Sequence, residues 1–324
     1  MRNALIVGIN YYENGSQLYG CVDDARAVGT VLGYHGDGNM NFDCQMLAAT
    51  SSKDSLRRSD LKDEVKKLFA TKADIALFYF AGHGHIETTG GYILASDARR
   101  GDEGLPLSEV LMLANTSPAG SKVIILDSCH SGIAGTPPGK GDIAEIADGL
   151  TVLTASTADQ YATEANGRGL FTTLFVDALN GGAANLTGDI TPGSVYAHID
   201  QSLSWRDQRP VFKTNVRQFI SLRKVPPPIS LSELRRIIEF FPKRGNEFKL
   251  DPTFEPNLKG RDPDMPLPSP ENSAKFAILQ KYNRLNLLVP VGVPHMWDAA
   301  MQSTTCRLTT LGEHYRYLVE KGRI

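Results

Sequence analysis

Five short apolar runs punctuate the first two-thirds of the chain, and between them apolar positions return at helical spacing. Strands are expected at Ala4 to Gly8, Cys44 to Ala48, Ile75 to Phe80, Lys122 to Leu126 and Leu150 to Thr154. Helices are expected near 22–33, 57–70, 106–114, 169–180 and 193–203. This succession reads as βαβ units around a mainly parallel sheet. IALFYF at 75–80 is apolar throughout and KVIIL at 122–126 nearly so, as strands are when helices cover both faces of a sheet. The expected fold class is α/β, a three-layer α/β/α sandwich.

The pattern changes at VPPPIS, 225–230, where consecutive prolines remove backbone donors and stiffen the chain. A boundary is placed there, giving one domain over 1–225 and a small, mostly helical one over 226–324. The second opens on an apolar-periodic helix, Leu231 to Phe241, passes through the proline-spaced DPDMPLPSPE and ends in LTTLGEHYRYLVEKGRI. In that ending Leu308, Leu311, Tyr315 and Leu318 recur at helical spacing, so one buried stripe is expected.

Composition narrows the class. With 324 residues, 41% of them hydrophobic and 22% charged, the chain has material for a sizeable core. The net charge of −2 divides into 20 Lys and Arg against 25 Asp and Glu before residue 226, and 14 against 11 after it. Neither imbalance argues for nucleic acid as a partner. MRNALIVGIN lacks the features of a signal peptide, and no apolar run reaches membrane-spanning length. Cys21, Cys44, Cys129 and Cys306 are scattered without CxxC pairing, which argues against a disulfide framework or a zinc site and suits a reducing cytoplasm.

The chemistry gathers at two strand ends. IALFYF runs into Ala81-Gly82-His83-Gly84-His85, and KVIIL runs into Asp127-Ser128-Cys129-His130-Ser131-Gly132. Ligands of open α/β sheets bind beyond the carboxyl ends of the strands, where both motifs fall. A cysteine attacks an acyl carbon as thiolate and needs a base close by, a task suited to histidine. His83 and Cys129 form that pair if their strands are neighbours, and the N–H groups of Gly84 and Cys129 are candidates for an oxyanion hole. A lone cysteine at a strand end is more often a small buried hydrophobe, and a lone histidine between glycines more often a turn residue; their joint placement reverses the odds. His130 is the poorer base because adjacent side chains point apart, and His85 is read as a solvated turn residue.

GHG followed 46 residues later by DSCHSG resembles the caspase-like cysteine peptidases, and the DSC form of the second motif points to their metacaspase and prokaryotic branch. Leu18-Tyr19-Gly20-Cys21-Val22-Asp23-Asp24-Ala25 resembles a further metacaspase segment that follows the first strand. The resemblance extends over about residues 3–222 and implies a caspase-like sandwich. It also implies that Asp24 and Asp127 line the pocket for the residue preceding the scissile bond, with a hydroxyl from Ser156. Two carboxylates there favour a guanidinium or ammonium, so cleavage after Arg or Lys is implied. On their own, Asp24 would be read as a carboxylate at a helix start and Asp127 as an acceptor tying down a loop.

The chain departs from that family in two places. Ala81 stands where metacaspases often carry a pocket serine, and SDARRGDEGLPLSEV lacks the adjacent acidic pair that holds an activating calcium ion in many of them. Asp97, Asp102 and Glu103 offer oxygens, but no cofactor is expected to be required and the metal question stays open. Lys140, in the Gly- and Pro-rich stretch after the nucleophile, is an expected self-cleavage site for a basic-specific peptidase. Residues 226–324 are loosely similar at their end to the last helix of winged-helix domains. A regulatory role is expected for them, sensing a ligand, a signalling nucleotide or a partner, as in stress or antiviral effectors. The competing readings are a catalytically silent caspase-like scaffold and a winged-helix regulator.

Overall fold

In the first part of the chain, elements follow one another as β1 (Arg2–Ile9), α1 (Cys21–Gly33), β2 (Asp43–Ala49), α2 (Arg58–Ala70) and β3 (Ile75–Ala81). A small antiparallel sheet comes next, β4 (Gly84–Glu87), β5 (Gly90–Ile93) and β6 (Leu105–Pro106), leading into α3 (Leu107–Asn115). Then come β7 (Ser121–Asp127), β8 (Leu150–Thr154), the short pair β9 (Glu164–Ala165) and β10 (Arg168–Gly169), and α4 (Leu170–Asp177). β11 (Asp189–Ile190), α5 (Pro192–Ser202), β12 (Val211–Asn215) and β13 (Arg223–Lys224) complete this part. The structure, a computed structural model, describes residues 1–128, 146–155, 164–165, 168–204, 209–217 and 219–324.

The main sheet has the order β12-β8-β7-β3-β1-β2. Five strands are parallel and β12 lies antiparallel to β8 at one edge. Every residue of β3 is buried, yet successive side chains point to opposite faces. Phe78 and Phe80 pack with Leu61, Val65 and Phe69 of α2 and Val110 of α3. Leu77, Tyr79 and Ala81 pack with Val28 and Leu32 of α1, Phe175 of α4 and Ile199 of α5. Two apolar layers sandwich one sheet, so a three-layer α/β/α architecture follows from strands with no polar face.

The chain leaves β1 toward β2 and then returns to β3 on the other side of β1. That reversal opens a crevice at the carboxyl ends of β1 and β3, the place where such sheets receive ligands. The strand β12 was not expected. Its VFKTN lacks a continuous apolar run because an edge strand is only partly covered.

The chain folds as two compact units, Met1–Pro226 and Pro227–Ile324. The second unit comprises α6 (Leu231–Arg235), α7 (Ile237–Phe240), β14 (Glu247–Lys249), α8 (Pro270–Arg284), β15 (Leu288–Pro290), α9 (Met296–Met301), β16 (Thr305–Leu308) and α10 (Thr310–Glu320). Its strands form an antiparallel sheet of order β14-β16-β15, and most of its regular structure is helical. Phe240 meets Phe248, Phe248 meets Phe254 and Phe254 meets Phe276, each pair edge to face, which makes an aromatic core. The helix expected over 231–241 is interrupted at Arg236.

The stripe expected in the last segment is corrected. Leu308 belongs to β16, Leu311 is exposed, and the face that α10 buries carries Gly312, Arg316 and Val319 instead. A Cβ at Gly312 would stand 2.0 Å from the Leu287 carbonyl oxygen, so only glycine permits this approach, and that contact sets the helix's rotation. Arg316 occupies the buried face with its guanidinium paired to Glu313 at 3.0 Å and Glu320 at 3.5 Å. Among the described residues, no helix is long and apolar enough to cross a membrane.

Candidate active site

The two motif-bearing strands are neighbours in register. β3 and β7 pair in parallel with Ala81 opposite Asp127, so His83 and Cys129 each stand two residues beyond the same row. The Gly82 N–H reaches the Asp127 carbonyl at 3.4 Å, extending the contact past the sheet. Cys129, and with it one proposed oxyanion donor, lies outside the described residues, as do Ser156, His130 and Lys140.

His83 is half-buried and held from two sides. Its backbone N–H donates to the Tyr12 hydroxyl at 2.7 Å, and its ring lies 4.5 Å from the Tyr12 ring, centroid to centroid. Its Nε2 lies 2.8 Å from the Ser16 carbonyl oxygen. A carbonyl only accepts, so Nε2 carries the proton of the neutral ring and Nδ1 is left as the basic nitrogen. Tyr12 and Ser16 both come from the segment between β1 and α1, on the other side of the switch point.

Gly84 opens β4 opposite Ile93 of β5. The Leu94 N–H donates to the His83 carbonyl at 2.9 Å, which makes 83 and 94 the hydrogen-bonded pair. Bonded and non-bonded pairs alternate in antiparallel ladders, so the Gly84 N–H is directed away from β5.

Asp24 and Asp127 are brought together although 103 residues separate them. α1 begins at Cys21, so Asp23 and Asp24 both fall in its first turn. Asp23 points outward to Arg26 at 3.0 Å, whereas Asp24 is buried. The Gly169 N–H, at the start of α4, donates to Asp24 Oδ2 at 3.0 Å. Asp127, also buried, accepts at Oδ2 from the Thr172 hydroxyl at 2.7 Å. A Cβ on Gly169 would stand 2.7 Å from Asp127 Oδ2 and 3.2 Å from Asp24 Oδ2. The two carboxylates therefore meet over one bare Cα, in a place where burial strengthens any charge they bind.

Several expectations change. His85 is not a turn residue: it lies in β4, with its ring where a Cβ on Gly101 would be and Nε2 3.3 Å from Glu87. Asp97 accepts from the Arg58 N–H at 3.0 Å at the start of α2. Asp102 pairs with Arg100 at 3.1 Å, and Glu103 accepts from the Arg99 N–H at 3.0 Å. Among the described residues, no group of three or more His, Cys, Asp or Glu is arranged to hold a metal ion. Burial, with Asp43 adding to it, pushes the Cys44 thiol up to about 11. Burial, with Glu247 adding to it, pushes Cys306 up to about 12. Both cysteines are poor sources of thiolate. Tyr12, Ser16, Gly169, Thr172 and Tyr79 were not singled out from sequence. Only Gly169 carries a local signal, as a glycine just before a helix in GRGLF.

The sequence model of the caspase domain matches residues 1–221. Metacaspase-1 of Mycosarcoma maydis is 25% identical over 158 residues, covering 41% of this chain and 36% of its own length. Metacaspase-1 of Meyerozyma guilliermondii is 27% identical over 153 residues, with the same coverages. The match thus spans about a third of the length of these curated relatives. The crystal structure of caspase-1 from Spodoptera frugiperda superposes with a TM-score of 0.51 at 14% identity, over 69% of this chain and 90% of that one. A crystal structure of a Geobacter sulfurreducens protein superposes with a TM-score of 0.52 at 17% identity, over 70% and 100%. The last two likenesses concern the fold. A sequence match over most of the first unit, joined to a sandwich in which the GHG motif and Asp127-Ser128 leave adjacent strand ends, shows that the chain belongs to the caspase-domain family.

Proposed function

We propose that this chain is a cysteine endopeptidase that cleaves protein or peptide substrates after Arg or Lys. The reading rests above all on the register of β3 and β7, which starts the His83 and Cys129 segments from one row. In this mechanism Nδ1 of His83 takes the Cys129 thiol proton, and the thiolate adds to the scissile carbonyl carbon. The resulting oxyanion is met by the N–H groups of Gly84 and Cys129. Collapse expels the amine, which takes the proton back from His83, and leaves a thioester on Cys129. Water, deprotonated by His83, adds to the thioester and releases the acid and the thiol.

The Asp24 and Asp127 carboxylates, converging at Gly169, form the floor of the pocket for the basic side chain, with Ser156 contributing a hydroxyl. Buried paired carboxylates repel an acidic side chain and bond a cationic one. No metal or cofactor takes part. The enzyme acts in the cytoplasm, and residues 226–324 control it by binding a ligand, a signalling nucleotide or a partner, in the manner of a stress or antiviral effector.

A panel of fluorogenic peptides tests this. Peptides with Arg or Lys before the scissile bond are expected to exceed the Asp peptide by at least ~100-fold in kcat/KM, given the cost of opposing like charges. Neither calcium nor EDTA is expected to change the rate. Preference for Asp, or a strict calcium requirement, would overturn the respective parts.

A second experiment concerns self-processing. The wild-type protein, incubated alone, is expected to give two fragments divided after Lys140, seen by intact mass, and Lys140→Ala is expected to remain whole. The same fragments from Lys140→Ala would exclude that site.

A further inference from the structure

Behind the acid pair runs a buried hydrogen-bond chain that neither the dyad nor the oxyanion hole uses. Tyr79 Oη lies 2.6 Å from Thr172 Oγ1, and Thr172 Oγ1 lies 2.7 Å from Asp127 Oδ2. An ionised carboxylate only accepts, so the single hydroxyl proton of Thr172 points to Asp127, and the Tyr79 O–H must donate to Thr172. The direction of the whole chain follows from its acidic end. Tyr79 is fully buried and Thr172 nearly so. Burial raises the Tyr79 phenol well above its ordinary range, and the charges of Asp127 and Asp24 raise it further, so it keeps the proton it donates.

The three residues come from β3, α4 and β7, and each is held independently. Tyr79 is pinned by its strand ladder, with β1 on one side and β7 on the other. Thr172 sits between the buried Phe171 and Phe175, which anchor α4 in the core. Donors fixed in this way do not move when a ligand arrives. They hold one oxygen of Asp127 in place and so restrict the orientation of its carboxylate beside Asp24.

We propose that Thr172, backed by Tyr79, is a specificity-positioning residue: it fixes the Asp127 carboxylate in the orientation that, together with Asp24, selects a basic side chain. This rests on reading the acid pair as the pocket for the residue before the scissile bond. Thr172 and Tyr79 touch no reacting atom in this scheme, so their effect falls on binding.

Thr172→Val removes the hydroxyl and keeps the shape, Thr172→Ser restores it, and Tyr79→Phe removes only the far donor. Thr172→Val is expected to raise KM for Arg and Lys peptides about tenfold or more while kcat changes less than about threefold, as for loss of a buried hydrogen bond to a charged group. Its preference for basic over uncharged peptides falls in proportion. Thr172→Ser keeps the wild-type KM, and Tyr79→Phe shifts KM in the same direction by less. Carbon NMR titration of the Asp127 carboxyl is expected to show it ionising at higher pH in Thr172→Val than in wild type, whatever the activity.

Unchanged KM and selectivity in Thr172→Val would overturn the proposal, as would an unchanged Asp127 titration. If Thr172→Val does not fold, Tyr79→Phe against wild type carries the comparison, and an unchanged KM and selectivity there would overturn the proposal. A wild-type protein that cleaves no basic peptide, with the titration shifting as expected, would remove the cleavage reading and the specificity role together and leave only the contact. The two failures are thereby distinct.

Discussion

Cys129→Ala is expected to lower kcat on an Arg peptide by ~10^4-fold or more while KM changes little, because the variant still binds but has no sulfur on which to build the thioester. His83→Ala is expected to fall by a comparable factor. Without its Nδ1 the thiol keeps its proton at neutral pH, and the departing amine has no donor. The two residues act as one unit, so the double variant should lose little more than either single one. Multiplicative losses would mean that the pair does not work as a dyad. The histidine change should cost only about 1 kcal/mol of stability, since the ring is half-buried and, among the described residues, its ring contact is with Tyr12. A thermal melt therefore separates lost chemistry from lost fold. Cys44→Ala serves as the control, because burial already pushes that thiol up to about 11. Hydrolysis surviving in Cys129→Ala would remove the mechanism.

Gly169→Val is expected to have the second largest effect, without touching a catalytic group. Even a Cβ there would stand 2.7 Å from Asp127 Oδ2, closer than side chains are found to approach, and 3.2 Å from Asp24 Oδ2. Valine adds two methyl groups beyond that point. Relief requires moving a carboxylate or withdrawing the start of α4, and withdrawal breaks the Gly169 N–H bond to Asp24. Loss of a buried charge-paired contact costs roughly 2–4 kcal/mol, so kcat/KM for Arg and Lys peptides is expected to fall about 30- to 1000-fold. Turnover of a peptide with an uncharged residue at that position should fall much less, since the dyad is untouched. Asp127→Asn should follow the same pattern, which ties the effect to charge rather than bulk. Equal losses on all peptides in Gly169→Val, together with full selectivity in Asp127→Asn, would mean that the acid pair does not read the substrate.

What could be read in advance was local. The apolar runs at 75–80 and 123–126 announce buried central strands because no polar side chain interrupts them, and glycine-flanked reactive residues directly after such runs fall at the ligand-binding edge of a parallel sheet. GHG and DSC were legible for that reason, and Asp24 and Asp127 through the resemblance that accompanied them. β12 was not, because an edge strand half-covered by neighbours needs no apolar signature. The rotation of α10 is hidden in the sequence for a related reason: a leucine pattern marks which residues suit burial, but the tight approach of Gly312 to the Leu287 backbone decides which side faces inward.

The sequence by itself determined the layered α/β architecture and the two chemical strand ends, since each depends on spacing within one short segment. The tertiary structure decided that Ala81 pairs with Asp127, that Tyr12 and Ser16 orient His83, and that Asp24, Asp127 and Thr172 gather at Gly169. Those meetings join residues up to 145 positions apart, brought together by strand register and by a close backbone approach, and neither leaves a periodic trace along the chain.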